Sequence, residues 1–404
     1  MKDEKKSPKL RFKGFTDDWE QCKLGDVANF SKGTGYSKSD LKGTGSPIIL
    51  YGRLYTKYET IIRNVDSFVV PKSGSVFSKG GEVIVPGSGE TAEDISIASV
   101  VEPAGILLGG DLNIIYPNSD LDPTFLAITI SNGKPHFDMA RRAQGKSIVH
   151  LHNADLKHIS LKTPNLSEQK RISKIFEVLD QTITLHEEKK QQLKCLKSAL
   201  LQKMFANKNK SGDPDVRFKG FDERWERHIL NDLAIFNPKG TLPTSFEYVD
   251  LGSVIGVEMI SHKTISKFDA PSRAQRLAQV GDLFYQTVRP YQQNNYLFDN
   301  KDNAYVFSTG YAQLRPLIDG YFLLCLVQTK SFVRKVMNAC TGTSYPAINS
   351  QDLAQIGVNI PINSKEQRLI GNLYKVIDNL ITLYQQKLDD LNTIKQSLLQ
   401  KMFI

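Results

Sequence analysis

Two long segments of the chain have hydrophobic residues at alternating steps of three and four, the pattern of a helix that packs along one seam. In the later segment these positions are Ile370, Tyr374, Ile377, Ile381, Tyr384, Leu388, Leu391, Leu398 and Met402. In the earlier segment they are Ile172, Phe176, Leu179, Ile183, Leu193, Leu200 and Met204. Polar residues interrupt the seams at Lys395, His186 and Lys190. The spacing predicts two helices of about 38 residues, each roughly 57 Å long at 1.5 Å per residue.

The ends of both predicted helices carry recognisable signals. Pro164 and Pro361 end the preceding stretches, because proline lacks an amide donor and restricts its predecessor. Ser167 is the predicted N-cap of the first helix, and Ser364 with Gln367 has the spacing of a capping box. No other amphipathic segment of similar length exists, so a pair of helices is favoured over the alternative of an ordinary bundle core. The helical pattern does not encode their direction, but the globular domain between them makes antiparallel packing natural. The polar interruptions are either a locally solvated seam or a device that fixes the register.

The segments between these helices have a different pattern. Short runs rich in β-branched residues are separated by glycines, and near the end of each segment comes an apolar helical stretch, Pro123–Ile130 and Tyr321–Gln328. The predicted strands are Pro47–Tyr51, Gly81–Val85, Asn113–Tyr116, Val249–Val257, Asp282–Val288 and Ala304–Phe307. Each segment is therefore predicted to be an α+β domain with a twisted sheet and long surface loops.

The chain repeats itself once. Residues 10–30 match residues 216–236 at 11 of 21 positions, and residues 168–205 match 366–403 at 17 of 38 positions. The predicted fold class is α+β, with two pseudo-repeated domains separated by two long helices packed as an antiparallel coiled coil. The predicted segments are an N-terminal segment 1–19, a first domain 20–160, a central helix 164–210, a second domain 216–358 and a C-terminal helix 361–404.

Composition and charge narrow the possible functions. Lys and Arg number 52 against 43 acidic residues, a formal charge of +9 that permits a polyanionic partner without proving one. The longest apolar run, Tyr321–Val327, is far too short to span a membrane, and the N-terminus lacks the apolar segment of a secretory signal. The four cysteines have no metal-binding or disulfide-like spacing. These features predict a cytoplasmic, soluble protein of several domains.

Motifs for catalysis and metal binding are weak. Gly145–Ser147 resembles the end of a Walker A loop, but Ala140 stands where that loop requires glycine. His150, His152 and His158 are close in sequence, but no thiolate lies near them, so a metal site is not favoured. We therefore predict no catalytic residue and no metal ligand in this chain.

The repeated motifs carry a resemblance to a known family. They are the FKGF segment followed by tryptophan (Phe12–Trp19 and Phe218–Trp225), the EQxxI helix starts at Glu168 and Glu366, and the LLQKMF helix ends at Leu200–Phe205 and Leu398–Phe403. With this architecture, the chain resembles the specificity subunits of type I restriction-modification systems from about residue 10 to 403.

The resemblance implies a non-catalytic subunit that chooses a DNA site. Each recognition domain would read one half of an asymmetric, two-part site in double-stranded DNA, and the helices would set the gap. The same helices would dock two methyltransferase subunits, through which restriction and translocase subunits join. No cofactor is expected on this chain; S-adenosylmethionine, ATP and Mg are expected on the partner subunits. The alternative is a coiled-coil adaptor protein that binds no DNA.

Candidate DNA contacts lie in loops of both domains. Arginine pairs with guanine and Asn or Gln with adenine, whereas lysine, small hydroxyls and glycine-rich turns contact phosphates. In the first domain the candidates are Lys32, Tyr36, Arg53, Tyr55, Ser88, Glu90, Thr91, Lys146 and Ser147. In the second domain they are Arg289, Tyr291, Gln292, Gln293, Asn294, Thr343, Ser344 and Tyr345. Residues 287–295 form the densest set of base-reading side chains in the chain.

Overall fold

The computed structural model describes residues 7–145, 147–205, 213–301 and 304–403. The chain divides into two compact units. The first unit contains Met1–His186 and Lys387–Ile404, and the second contains Glu187–Gln386. Each unit therefore consists of part of each long helix and one α+β domain, which we call a recognition domain after its predicted role.

Both long helices are present and continuous. The central helix spans Leu166–Met204 and the C-terminal helix spans Ser364–Met402, so each runs about 58 Å at 1.5 Å per residue. In the second unit Lys190 donates to Gln385, and Lys197 pairs with Asp378 at 2.5 Å. Residue numbers rise along one helix while those of their partners fall, so the helices are antiparallel. The predicted α+β class with an antiparallel coiled coil is confirmed.

The predicted N-caps of these helices were wrong. The Asn165 side chain accepts the Glu168 amide at 3.0 Å, and the Asn363 side chain accepts the Lys365 amide at 2.9 Å. An asparagine side chain at this position satisfies an amide that the helix itself leaves without a partner. Each cap therefore lies one or two residues before the predicted serine.

The first recognition domain is built around a five-stranded sheet. Its strand order is Ala28–Lys32, Leu112–Pro117, Glu82–Pro86, Ser99–Val101 and Ile61–Ile62, and all neighbours are antiparallel except the last pair. Smaller ladders join Phe68–Val69, Ser46–Ile49 and Leu107–Leu108, and Glu20–Lys23 with Ser160–Thr163. The helices are Leu24–Val27, Arg53–Thr56, Pro123–Asn132, Lys134–Arg142 and Asn153–Lys157. Phe125 and its neighbours on the predicted helix are buried in the core.

The second recognition domain uses two four-stranded sheets. One has the antiparallel order Ala234–Phe236, Tyr311–Pro316, Leu283–Gln286 and Tyr296–Leu297. The other has the order Lys263–Ser266, Ser245–Val249, Tyr305–Ser308 and Ala274–Leu277, with a parallel central pair. Shorter pairs join Glu226–Ile229 with Gly357–Ile360 and Val254–Ile255 with Glu258–Met259. The helices are Gly320–Val327, Lys330–Ala339 and Ser350–Ala354.

The strand expected over Val249–Val257 is interrupted. Ser245–Val249 ends where that prediction begins, and the chain turns before the short strand Val254–Ile255. The Asp250 side chain accepts the Gly252 amide at 2.9 Å and the Ser253 hydroxyl at 3.0 Å. This local aspartate turn competes with strand geometry, so one apolar run becomes two elements.

A buried ion pair ties each FKGF segment to the start of a long helix. The Arg11 guanidinium donates to both carboxylate oxygens of Glu168 at 2.9 and 2.7 Å, and Arg217 does the same to Glu366 at 2.8 and 2.7 Å. The two glutamate side chains are almost fully buried, and the hydrogen bond to Glu168 raises the pKa of Arg11. We call these pairs the arginine clamps. They give the repeated arginine and glutamate of the two sequence motifs a common structural role.

An aromatic cluster lies beside each clamp. In the first unit Phe125 packs against Trp19 and Phe403 with ring centroids 5.7 and 5.9 Å apart. In the second unit Phe322 packs against Trp225 and Phe205 at 6.1 and 5.3 Å. Each cluster thus joins an FKGF segment, a domain helix and the end of a long helix. The last residue of the repeated LLQKMF motif is buried for this reason.

Charged residues at the seam make contacts across the helix pair. Lys395 pairs with Asp180 at 2.5 Å in the first unit, and Lys197 pairs with Asp378 in the second. These pairs are equivalent, because both lysines and both aspartates are separated by the repeat offset of 198 residues. The two aspartates also accept hydrogen bonds from their own recognition domains, from Thr60 at 3.0 Å and from Tyr321 at 2.7 Å. Each aspartate therefore contacts both the opposite helix and its own domain, so the register of the helix pair is coupled to the position of that domain.

Among the described residues, none of the helices combines the length and the apolar character needed to cross a membrane.

Removing either clamp arginine is expected to destabilise its unit. Arg11→Gln and Arg217→Gln each leave a buried carboxylate unpaired, which costs about 3–5 kcal/mol of unfolding free energy. The measurement is the urea unfolding midpoint, with amide hydrogen exchange identifying the affected unit. The exposed neighbours Lys13 and Lys219 provide the matched controls Lys13→Gln and Lys219→Gln. Equal losses in the controls would contradict a special role of the clamps.

Exchanging the charges of a cross-helix pair is expected to restore what each single change removes. Asp180→Lys or Lys395→Asp alone places like charges together at a partly exposed site and lowers unfolding free energy by about 1 kcal/mol. The double exchange recovers most of that loss in thermal unfolding. Lys375→Asp, at an exposed position of the same helix, is the control. A double variant no more stable than the worse single variant would show that the pair does not contribute to helix register.

Candidate nucleic-acid interface

A loop of the second unit, residues 287–295, carries the densest set of predicted DNA contacts. It follows the buried strand Leu283–Gln286, and Pro290–Gln292 forms a single 3₁₀ turn. Arg289 and Gln293 flank that turn in the left-handed backbone region, with φ of 54° and 57°. Such backbone is uncommon outside glycine and persists only where surrounding contacts hold it. We call residues 287–295 the reading loop, after the base contacts predicted for them.

Side-chain amides hold the reading loop in place. Asn295 accepts the Gln286 amide at 2.8 Å, and Asn294 accepts the Gly256 amide at 2.9 Å. Gln293 donates to the Gln328 carbonyl at 2.7 Å. The predicted contacts Gln293 and Asn294 therefore use their amides within the protein. Their positions stabilise the loop, and their availability to DNA stays a prediction.

The tip of the reading loop is open. Tyr291 is half exposed, and Gln292 is exposed while its Oε1 accepts from Gln286 Nε2 at 2.8 Å. Within the described part of the chain this contact orients the Gln292 amide group. It leaves both N–H donors of Gln292 Nε2 available. A glutamine held in this way can present a hydrogen-bonding group to a base edge.

A hairpin beside the reading loop contributes the remaining predicted residues. Thr341 and Ala347 exchange backbone hydrogen bonds of 2.9 and 3.0 Å, and Ala347 also bridges to Val288. Between them, Thr343, Ser344 and Tyr345 are exposed. The Arg289 guanidinium lies 4.3 Å from the centre of the Tyr345 ring, and the Arg289 amide donates to Pro346. The structure thus brings Arg289 and Tyr345 together from separate segments.

The first unit has the same framework with different side chains. Ser88–Gly89 pairs with Val149–His150, and Gln144 exchanges backbone hydrogen bonds with His150 at 3.0 and 2.8 Å. Ser147 is exposed within this hairpin, and Glu90 and Thr91 are exposed where the adjoining loop leaves the sheet. Lys146, the remaining predicted residue of the hairpin, lies outside the described residues.

Tyr55 and Ser88 lie at the base of this surface. The Tyr55 hydroxyl donates to the Ser88 carbonyl at 2.5 Å, and the Ser88 hydroxyl lies 2.9 Å from His150 Nδ1. Burial raises the pKa of Tyr55, so the hydroxyl stays protonated as a donor. The ring of Tyr51 packs edge-on against Tyr55 at 6.1 Å and remains exposed. Tyr51 and His150 therefore belong to this surface, although the sequence analysis proposed neither as a DNA contact.

Three other predicted residues of the first domain lie elsewhere. Lys32 is exposed at the end of an edge strand, opposite Asn113. Tyr36 is buried, its hydroxyl accepts the Lys72 amide at 2.7 Å, and the Lys72 ammonium lies over its ring. The Arg53 guanidinium pairs with Glu59 and Asp66 at 2.6 and 3.0 Å. Tyr36 and Arg53 thus have packing partners of their own, and their contact with DNA stays a prediction.

The exposed side chains on the two surfaces are of the types expected at a DNA interface. Exposed hydroxyls and backbone amides in tight turns suit phosphates, whereas the arginine and glutamine of the reading loop suit base edges. Within the same part of the chain, no group of three or more His, Cys, Asp or Glu side chains could hold a metal ion. The His150 and His152 rings stack at 6.4 Å without forming such a group.

Comparisons with known proteins point to one family. The family profile described as type I restriction modification DNA specificity domain matches residues 16–195 and 223–393. The chain is 22% identical over 426 residues to the type I restriction enzyme MjaVIII specificity subunit of Methanocaldococcus jannaschii, covering 95% of this chain and 91% of that protein.

Solved structures share the fold. The S subunit of a type I restriction-modification system from M. genitalium has a TM-score of 0.66 at 15% identity, covering 98% of this chain and 99% of that one. A chain from a study of complex assembly and conformational transition of the type I R-M system has a TM-score of 0.51 at 17% identity, covering 96% and 98%.

Adding a methyl group at the hairpin glycines is expected to loosen each hairpin. Gly145 and Gly342 have φ of 137° and 85°, and a Cβ would meet the carbonyl oxygens of Ile148 and Tyr345. Gly145→Ala and Gly342→Ala should therefore each cost about 1–3 kcal/mol of local stability. Amide hydrogen exchange within the corresponding hairpin measures the effect. Gly43→Ala, which meets no atom within 4 Å, is the control, and equal protection in all three variants would contradict a steric effect at the hairpins.

Proposed function

The chain belongs to the type I restriction-modification DNA specificity family, and we propose that each of its recognition domains reads one half of an asymmetric, two-part DNA site. A specificity subunit of this kind selects the sequence on which a larger complex acts. In this proposal S-adenosylmethionine, ATP and Mg bind to partner subunits, and this chain selects the DNA sequence.

One observation carries the proposal: a shared framework presents different side chains in the two units. In both, the loop leaving a central strand pairs with a glycine-containing hairpin. The first unit places Glu90, Thr91 and Ser147 on that framework, and the second places Arg289 and Gln292. Unlike donors and acceptors on like frameworks favour unlike half-sites, because base pairs differ in their major-groove hydrogen-bonding groups.

The second half-site has the more definite chemistry. Arginine forms paired hydrogen bonds with guanine, and glutamine forms them with adenine, each worth about 1–3 kcal/mol of discrimination. The Arg289 guanidinium lies over the Tyr345 ring, and in this proposal its N–H groups pair with a base edge. In this proposal the exposed Thr343 and Ser344 contact the neighbouring phosphates through their hydroxyls.

Equivalent exposed apolar residues on the long helices support docking of two methyltransferase subunits. Val178, Leu185 and Ile394 are exposed in the first unit, and Val376, Leu383 and Leu196 are exposed in the second. Each residue of the first set matches one of the second at the repeat offset of 198. Two similar apolar surfaces fit two copies of one partner, and restriction and translocase subunits would join through that core.

Methylation mapping tests the proposal. The chain is co-expressed with its methyltransferase subunit in a host lacking adenine methylation, and modified adenines are located across the genome. We expect a single asymmetric motif in two parts with a fixed gap. A stable complex that methylates nothing would instead support the adaptor alternative, in which the domains bind no DNA.

Substitutions assign the halves of that motif. Arg289→Ala and Gln292→Ala are expected to relax the second half-site only, with loss of tenfold or more in discrimination at the affected base. Glu90→Ala should alter the first half-site only, and Arg273→Ala, at an exposed position outside the reading loop, should alter neither. Changes in both half-sites from one loop variant would contradict independent reading by the two domains.

A further inference from the structure

The second unit contains a large open cleft that base reading does not explain. Its volume is about 950 Å³, and it lies between the central helix, the start of the helix Lys330–Ala339 and the turn before Glu258. A single phosphate would occupy only a small part of this space. The cleft is therefore suited to an extended ligand.

The walls of the cleft are strongly cationic. Six basic residues line it against two acidic ones, Glu258 and Asp378, which is a formal excess of four positive charges. Asp378 already pairs with Lys197 at 2.5 Å, and Glu258 accepts from Thr382 at 2.8 Å. Lys194, Lys330 and Arg334 are exposed and have no carboxylate within 4.0 Å among the described residues. The protein itself leaves these three charges unbalanced.

The surroundings add to the positive field. The Lys335 ammonium donates to the Gly357 carbonyl at 2.6 Å, and the cations Arg227 and Arg334 lie close enough to act on its charge. Thr329 caps the ten-residue helix that begins at Lys330, and the first residues of that helix line the cleft. The positive end of the helix dipole therefore adds to the side-chain charges.

The cleft belongs to one unit and not to the repeated framework. Lys190 and Lys194, which line it, correspond at the offset of 198 residues to the uncharged Leu388 and Asn392. A partner that docks twice on equivalent surfaces would need the same charges in both units. This difference favours DNA, which meets each recognition domain differently, over a second contact for the methyltransferase subunit.

The cleft is also continuous with the reading loop. Gln292 and Gln293 belong to that loop and line the cleft as well. We propose that the cationic cleft binds the phosphate backbone of the DNA strand adjoining the second half-site. This inference rests on the proposed function and adds an anchoring site, independent of base sequence, to the second unit alone.

Removing the unbalanced charges tests the anchoring site. The triple variant Lys194→Gln, Lys330→Gln, Arg334→Gln is compared with wild type as a complex with its methyltransferase subunits. The binding constant falls as salt is added, and each lost phosphate contact reduces the steepness of log K against log salt by about 0.9. The steepness for the triple variant should therefore be smaller than for wild type by up to ~2.7. The methylated motif should stay the same, because no base-reading residue changes.

Control variants distinguish phosphate anchoring from a general loss of positive charge and from a protein contact. A control triple variant removes the same charge from exposed positions outside the cleft, and its slope should stay near that of wild type. Its substitutions are Lys263→Gln, Lys267→Gln and Arg273→Gln. An equal fall in slope in this control would overturn the proposal, as would an unchanged slope in the cleft variant. Loss of methyltransferase binding by the cleft variant would also overturn it, by assigning the charges to a protein partner.

A competition experiment identifies the source of the phosphate. Magnesium-free ATP is added at millimolar concentration with ionic strength matched. It should displace the DNA duplex from the wild-type complex no more than from the cleft variant. Selective displacement from wild type would overturn the proposal in favour of a nucleotide site. A complex that methylates its motif with wild-type specificity while failing these tests would retain the proposed function and lose only the anchoring site.

Discussion

The arginine clamp is the interaction on which each half of the molecule depends. A glutamate in the first turn of each long helix is buried, so its charge needs a partner that brings its own hydrogen bonds. Arg11 and Arg217 supply that partner in bidentate geometry. The clamp thereby joins the FKGF segment to the helix start, and Trp19 and Trp225 are buried alongside. A recognition domain is thus fixed to the helix that carries it.

The ion pairs across the helix seam also have a structural role. A seam made only of leucine and isoleucine would allow the helices to slide, whereas an ion pair is satisfied in one register. Asp180 and Asp378 each meet a lysine of the opposite helix and a hydroxyl of their own domain. Sliding the helices would therefore break contacts to the domains as well. If the helices set the gap between half-sites, as the proposed function requires, such coupling keeps that gap constant.

The features that recur in both units have a different role from those found in one unit. The clamps, the aromatic clusters and the cross-helix pairs recur in both units, and they hold domains to helices. The reading loop and the cationic cleft belong to the second unit, and their chemistry suits DNA. This division is what the proposed function requires of a subunit that presents two different targets to two copies of one partner.

The sequence by itself determined the duplication, the two long helices and the α+β class, because hydrophobic spacing and local identity are properties of the chain. It also indicated the reading loop, since residue types at one turn suffice to suggest base contact. Only the tertiary structure decided that Arg11 meets Glu168, 157 residues away. Only the structure placed Tyr345 under Arg289 and gathered lysines from two helices into one cleft. Long-range pairs of this kind depend on how elements pack, and packing leaves no periodic signal in a single sequence.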